Sequence, residues 1–172
     1  MASSDHSFLP VLRDLMNGLP TGAKVLEWGP GRSTVVMATE MPGADITSIE
    51  HNEKWFKSTS VLVSNLVNVR LIFQPYYKSG GGSSSYVTYP IFVGETYDLV
   101  FVDGRARADC LVIASLVLND DGVVVLHDAK RKRYRESFSM FASVKDCGDT
   151  CVLSNPMHKV IERKNETTKQ TH

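Results

Sequence analysis

The apolar positions of the chain follow two alternating rhythms. Phe8, Val11, Leu12, Leu15, Met16 and Leu19 recur at threes and fours, which predicts an amphipathic helix with Pro10 tolerated in its first turn. Gly18, Pro20 and Gly22 end it and lead into Lys24-Val25-Leu26, a short β-leaning run. A helix through Val35-Val36-Met37-Ala38 comes next, with Ser33 or Thr34 as its cap, and then a strand from Ala44 to Ile49 closed by Glu50. Asn52 can cap a further helix that turns Trp55, Leu62 and Leu66 toward a sheet, and Val69-Arg70-Leu71-Ile72-Phe73 reads as the third strand.

Between Gln74 and Glu95 the pattern breaks down into a long flexible loop. Its Gly/Ser centre, Lys78 to Ser85, is flanked by Tyr76, Tyr77, Tyr86 and Tyr89, and it reads equally as a lid over a pocket or as a loose insertion. Order resumes with the apolar strand Tyr97 to Val102, which ends in Asp103-Gly104. A helix across Cys110, Leu111, Ala114 and Leu118 leads to a turn at Asn119-Asp120-Asp121-Gly122, and Val123 to Leu126 forms the next strand, ending in His127-Asp128. The segment beyond Lys130 reads as helical through Phe138 and Phe141. Strands near Ala142 to Asp146 and Lys159 to Arg163 bring the sheet to seven, and residues 165–172 read as a polar, frayed tail. Strands alternating with helices predict a single α/β domain over residues 1–164, its mostly parallel sheet covered by helices on both faces.

The stretch from Val25 to Thr34 passes from strand to helix through Gly29 and Gly31, where the backbone can turn tightly and approach a ligand. Glu50 lies nineteen positions after Gly31, the spacing at which an acid in a βαβ unit accepts hydrogen bonds from a ribose diol. A dinucleotide would place its pyrophosphate over the turn, where Glu27 repels it, and Thr34 stands where a third glycine would fall. The acid-x-Gly-x-Gly turn resembles the first motif of the class I S-adenosylmethionine (SAM)-dependent methyltransferases. The resemblance covers about residues 24–128 and implies a Rossmann-like fold with SAM as cofactor. It implies that Glu27, Gly29 and Gly31 face the methionine part, that Ser33 and Thr34 lie near its carboxylate, that Glu50 holds the ribose, and that His51 lines the adenine.

In an open parallel sheet ligands sit at the carboxyl ends of the strands, so Glu27, Glu50, Asp103, His127 and Asp128 are expected on one rim. Metal-dependent catechol-type O-methyltransferases place an Asp after the fourth strand and an Asp-Asn pair after the fifth. This chain offers Asp103 and His127-Asp128 instead. Similarity to small-molecule O-methyltransferases with a strand-His-Asp segment leaves three readings open: His127 as general base, a divalent cation such as magnesium on the His127-Asp128 pair or on Asp103 and Asp128, or a helix cap. The run Lys130 to Arg135, with Arg105 and Arg107 on the same rim, points to a small anionic substrate bound through Arg105, Arg131 and Tyr134, or else to a solvated helix face. A nucleotide-binding oxidoreductase and a non-catalytic SAM- or nucleic-acid-binding module are the rival readings.

Composition narrows this little. Nineteen basic residues balance nineteen acidic ones, so no whole-chain charge argues for nucleic acid or a membrane surface. The first residues lack a secretory pattern, and Cys110, Cys147 and Cys151 form an odd set. Both features are expected of a reduced, cytoplasmic compartment. Cys147, Cys151 and His158 lack a fourth partner for structural zinc. A homo-oligomer is compatible with the sequence.

Overall fold

In a computed structural model, residues 7–77 and 84–170 are described. Five strands run parallel: β1 (Lys24–Trp28), β2 (Asp45–Glu50), β3 (Val69–Phe73), β4 (Tyr97–Val102) and β5 (Leu118–His127). A hairpin of β6 (Phe141–Cys147) and β7 (Thr150–Pro156) adds antiparallel to β5. The order in the seven-stranded sheet is β3-β2-β1-β4-β5-β7-β6. The chain builds outward from β1 to β3 and then returns to the other side of β1. The β1/β4 boundary is therefore the switch point, where a crevice opens above the strand ends.

The helices are α1 (Leu9–Met16), α2 (Arg32–Glu40), α3 (Glu53–Leu62), α4 (Ser85–Val93), α5 (Arg107–Val117) and α6 (Met157–Gln170), with a 3-10 segment over Lys132–Met140. Period-two alternation decides which side each strand residue faces. Val25, Leu99, Phe101 and Val125 pack with Phe8, Leu12, Met16 and Met37 from the α1/α2 side. Leu26, Trp28, Val100, Val102, Val124 and Leu126 pack with Tyr86, Leu111, Ala114 and Tyr134 from the other. Carried one step beyond the strands, the same parity puts Asp103 and His127 together on the α1 side.

Several expectations are corrected. Gly31, not Ser33 or Thr34, is the N-cap of α2, because both hydroxyls bond the Glu27 carboxylate from inside the first turn. Trp55 and Leu62 are exposed; Thr59 and Val63 face inward, and Phe56 packs on Phe73 at 5.4 Å. Nine residues of the expected loop form α4, whose Tyr86, Val87 and Pro90 are buried, so burial outweighs the cost of an internal proline. Lys78 to Ser83, at the centre of the expected loop, lie outside the described residues.

Asn119 to Gly122 are not a turn. They are carried in β5 as a register shift against β4, with Asn119 Nδ2 donating to Asp98 Oδ1 at 2.6 Å. The segment after Lys130 is 3-10 and stops before Phe141, which opens β6. The last strand is Thr150–Pro156 rather than 159–163, since Gly148 (φ 82) turns the chain straight back after Cys147. Residues 159–163 belong to α6, which continues as helix to Gln170 where a loose tail was expected.

Gly29 has φ 90, and a Cβ there would lie 2.6 Å from the Gly104 nitrogen, so the ends of β1 and β4 can meet only at a glycine. A Cβ on Gly104 would in turn overlap the Tyr86 hydroxyl. Gly94 has φ 72 but open space around it. Gly29→Ala should therefore cost more than the ~1 kcal/mol expected for Gly94→Ala, by about 1–3 kcal/mol in urea denaturation. Equal losses would refute the close approach.

Candidate active site

A cavity of about 1540 Å³ opens above the switch point. Its walls are Gly29 to Ser33 from the first turn, Glu50 and His51 from the end of β2, and Asp103 to Ala108 from the end of β4. Phe8, Lys54, Trp55, Tyr76, Arg131, Arg133 and Tyr134 also line it. The volume exceeds the roughly 300–1,000 Å³ of a typical single-ligand pocket. Two reactants can share it.

Glu27 has no exposure at all, and it lies beneath the turn rather than on the cavity wall. Its Oε1 accepts from Ser33; its Oε2 accepts from Thr34 and Ser48 at 2.6 Å each. One carboxylate thereby joins β1, β2 and the first turn of α2. Burial pushes the Glu27 pKa up to about 7, against the three hydroxyl bonds and with help from the charge of Asp103.

Glu50 stands on the wall. Its Oε1 accepts from the backbone nitrogens of His51 and Asn52 at 2.7 and 2.6 Å, and these contacts leave Oε2 for a ligand. His51 Nδ1 is 2.9 Å from the same Oε1 without a hydrogen-bonding angle. Burial lowers the His51 pKa, so its ring is held neutral at physiological pH, edge-on to Tyr86 and Tyr76.

The ends of β4 and β5 are stapled by Arg107. Its Nε donates to Gly104 O at 3.0 Å, Nη2 to Asp103 O at 2.9 Å, and Nη1 to His127 O at 2.5 Å. It also pairs with Asp103 Oδ1 at 2.9 Å and Asp128 Oδ2 at 3.2 Å. Asp103 lines the cavity, and its Oδ1 meets His127 Nδ1 at 3.0 Å. The Asp103 hydrogen bond holds the His127 pKa above its ordinary value, outweighing burial. His127 and Asp128 thus stand behind Asp103, off the cavity wall.

Of the expected substrate residues, Arg105 is exposed at the cavity, Arg131 lines it while paired with Asp128, and Tyr134 is a buried wall under the Arg133 guanidinium. Expected magnesium ligands Asp103 and Asp128 are instead bridged by Arg107. The three cysteines are free thiols. Among the described residues no helix is long and apolar enough to cross a membrane.

The sequence reading missed Phe8, Trp55 and Asp149. Trp55 Nε1 donates to Pro30 O at 2.6 Å and so lays the indole beside the glycine turn. An aromatic in the first turn of the helix, three residues after the Asn52 cap, was the available signal.

The arrangement has counterparts among solved structures. A methyltransferase-like protein from Silicibacter pomeroyi superposes with a TM-score of 0.66 at 20% identity over 94% of both chains. A protein assigned as a caffeoyl-CoA O-methyltransferase from Staphylococcus aureus gives 0.65 at 16%, over 89% of this chain and 85% of that one. The fold is that of the class I SAM-dependent methyltransferases. MycE of the mycinamycin biosynthetic pathway, solved with Mg, S-adenosylhomocysteine (SAH) and mycinamycin VI, shares it with a TM-score of 0.64 at 12% identity, this chain spanning 47% of that one. No family model and no curated protein sequence matches the chain. Within the methyltransferase fold, Gly29 to Ser33, Glu50 and Asp103 occupy the ends of the first, second and fourth strands, around the crevice.

A carboxyl whose folded pKa is raised stabilises the protein fully below its unfolded value and loses that contribution as pH rises through the folded one. Glu27 should therefore cost wild-type stability between about pH 5 and about pH 8, on the order of 1–3 kcal/mol. Glu27→Gln should flatten the fall. Parallel thermal-denaturation profiles for the two proteins would contradict the buried-acid assignment.

Proposed function

We propose that this protein is a SAM-dependent methyltransferase acting on a small anionic substrate through an oxygen nucleophile. One observation carries the reading: a single cavity at the switch point is walled by the glycine turn, by Glu50 and by Asp103. The residues fit the cofactor. Glu50 Oε2 is available to a ribose diol, the amide groups of the α2 N-terminus suit a carboxylate, and the neutral His51 ring with Tyr76 offers an aromatic wall for adenine. Bound SAM supplies an electrophilic methyl group on a sulfonium.

Glu27 acts from below in this reading. It holds Ser33 and Thr34 so that the Gly29 and Gly31 backbone faces the ligand, and as a dry acid under the turn it favours a cationic amino group over a diphosphate. That disfavours a nicotinamide oxidoreductase. The catalytic share falls to Asp103, which meets the cavity and accepts the acceptor's proton, with His127 behind it fixing its orientation and Asp128 fixing Arg107. Arg105, Arg131 and Tyr134 bind the substrate's anionic group. Magnesium bridging Asp103 and Asp128 fits poorly, because a guanidinium already lies between them. The catalytic domain is assigned to residues 1–164.

Calorimetry with SAM, SAH and NAD tests the cofactor. SAM and SAH should bind and NAD should not; the reverse would favour the oxidoreductase. Glu50→Ala should weaken SAM binding by about 1–3 kcal/mol, the loss of hydrogen bonds involving a charged group. An unchanged dissociation constant would remove the ribose role. For Asp103→Asn, SAH binding should persist while turnover on anionic phenols or sugar acids drops by about 10²–10⁴-fold.

A further inference from the structure

Behind the cavity wall three side chains, His127, Asp128 and Asp149, converge, and the proposed transfer leaves the His127 Nε2 side of the group unused. His127 is over nine-tenths buried, and its Nε2 has no hydrogen-bond partner. An imidazole nitrogen sealed from water without a partner is costly, and such an atom calls for an occupant. The nearest acid oxygen, Asp149 Oδ2, lies 3.8 Å away, beyond hydrogen-bond reach but suited to a shared third atom. Ligand atoms of His127, Asp128 and Asp149 all fall within 4.8 Å of one another.

Each residue is held by something other than this cluster. His127 is oriented from its far nitrogen by Asp103 at 3.0 Å, the carboxylate-histidine arrangement that commonly backs a metal-bound imidazole. Asp128 sits at φ 58, and its contacts with Arg107 and Arg131 both use Oδ2, which leaves Oδ1. Asp149 belongs to the β6-β7 turn, and that turn is tied to the end of β5 by Ala129 N donating to Asp149 O at 2.9 Å. Three carboxylates face two guanidiniums here, so the cluster retains a net negative charge when His127 is neutral.

The geometry points to a divalent first-row transition-metal site formed by His127 Nε2, Asp128 and Asp149, with Asp103 as the outer partner of the histidine. It differs from the β4-acid site that the catechol-type resemblance implies: Asp103 is withdrawn to the outer shell and the hairpin supplies the third ligand. One nitrogen with two carboxylates suits Mn²⁺ or Zn²⁺, whereas Mg²⁺ prefers oxygen alone. With a cation on Nε2, the proton of His127 is fixed on Nδ1 toward Asp103, which is the orientation the proposed function asks of it. The site itself does not depend on the methyl-transfer reading.

The test is Mn²⁺ binding to the full chain, followed by calorimetry and by the loss of free Mn²⁺ signal in electron paramagnetic resonance. Wild type should bind one Mn²⁺ and gain thermal stability from it, and excess Mg²⁺ should not displace it. Asp149→Asn, a substitution on a partly exposed turn, should weaken binding more than about 100-fold while melting cooperatively without metal. Asp103→Asn should weaken it about 10- to 100-fold, as loss of an outer partner does. Absence of Mn²⁺ binding, unchanged affinity in Asp149→Asn, or equal affinity for Mg²⁺ would each overturn the assignment. Since none of these readouts uses SAM, they can fail while the methyltransferase reading stands, and the converse holds.

Discussion

A single dry carboxylate sets the shape of the β1/β2 side of the cavity in this protein. Glu27 has no contact with solvent, and an acid in that position survives only if its oxygens are answered. Ser33 and Thr34 answer from α2 and Ser48 answers from β2, so one group near the end of β1 also fixes the helix start and the neighbouring strand. The three hydroxyls are neutral donors, so the charge that Glu27 carries when ionised is left uncancelled. In that form the turn above has a negative potential below it and the positive end of a helix at its side, a combination suited to a zwitterionic amino acid moiety.

The other half of the rim is built on different physics. Arg107 spends its guanidinium on three backbone carbonyls and two carboxylates, so it acts as a fastener between β4 and β5 and is not available to a substrate. A planar group with five donors in a fixed fork can do this; a lysine could not. Because Arg107 and His127 together hold Asp103, the one acid of this cluster that lines the cavity has little freedom to move.

Much of this was legible in the sequence, for identifiable reasons. β1 to β4 are short β-leaning runs, three of which stop at a glycine or an acid (Gly29, Glu50 and Asp103), and their alternation with helices leaves few topologies. The strand-end positions Glu50 and Asp103 follow from the sheet alone. What was not legible depends on distant partners. The Gly/Ser stretch hid α4, whose buried Tyr86 is held where Trp28 Nε1 donates to its carbonyl and Gly104 leaves room for its hydroxyl. Trp55 was read as core because large apolar residues usually are, yet it reaches back to Pro30 instead. Asp149 joins His127 through a hairpin whose register rests on Gly148, and no periodicity reports that pairing.

The cations around the cavity also separate by role once their partners are known. Arg107 is consumed by the fold, and Arg131 shares Asp128 with it. Arg133 lies over Tyr134, which leaves its charge near the opening. Arg105 reaches the wall from an exposed position, and Lys54 lies on the opposite bank beside Trp55. A lone cofactor carboxylate at the α2 N-terminus would be served by backbone amides and would not need side-chain cations on both banks. Their placement around the opening of the cavity that Asp103 also lines is what an anionic second reactant would require.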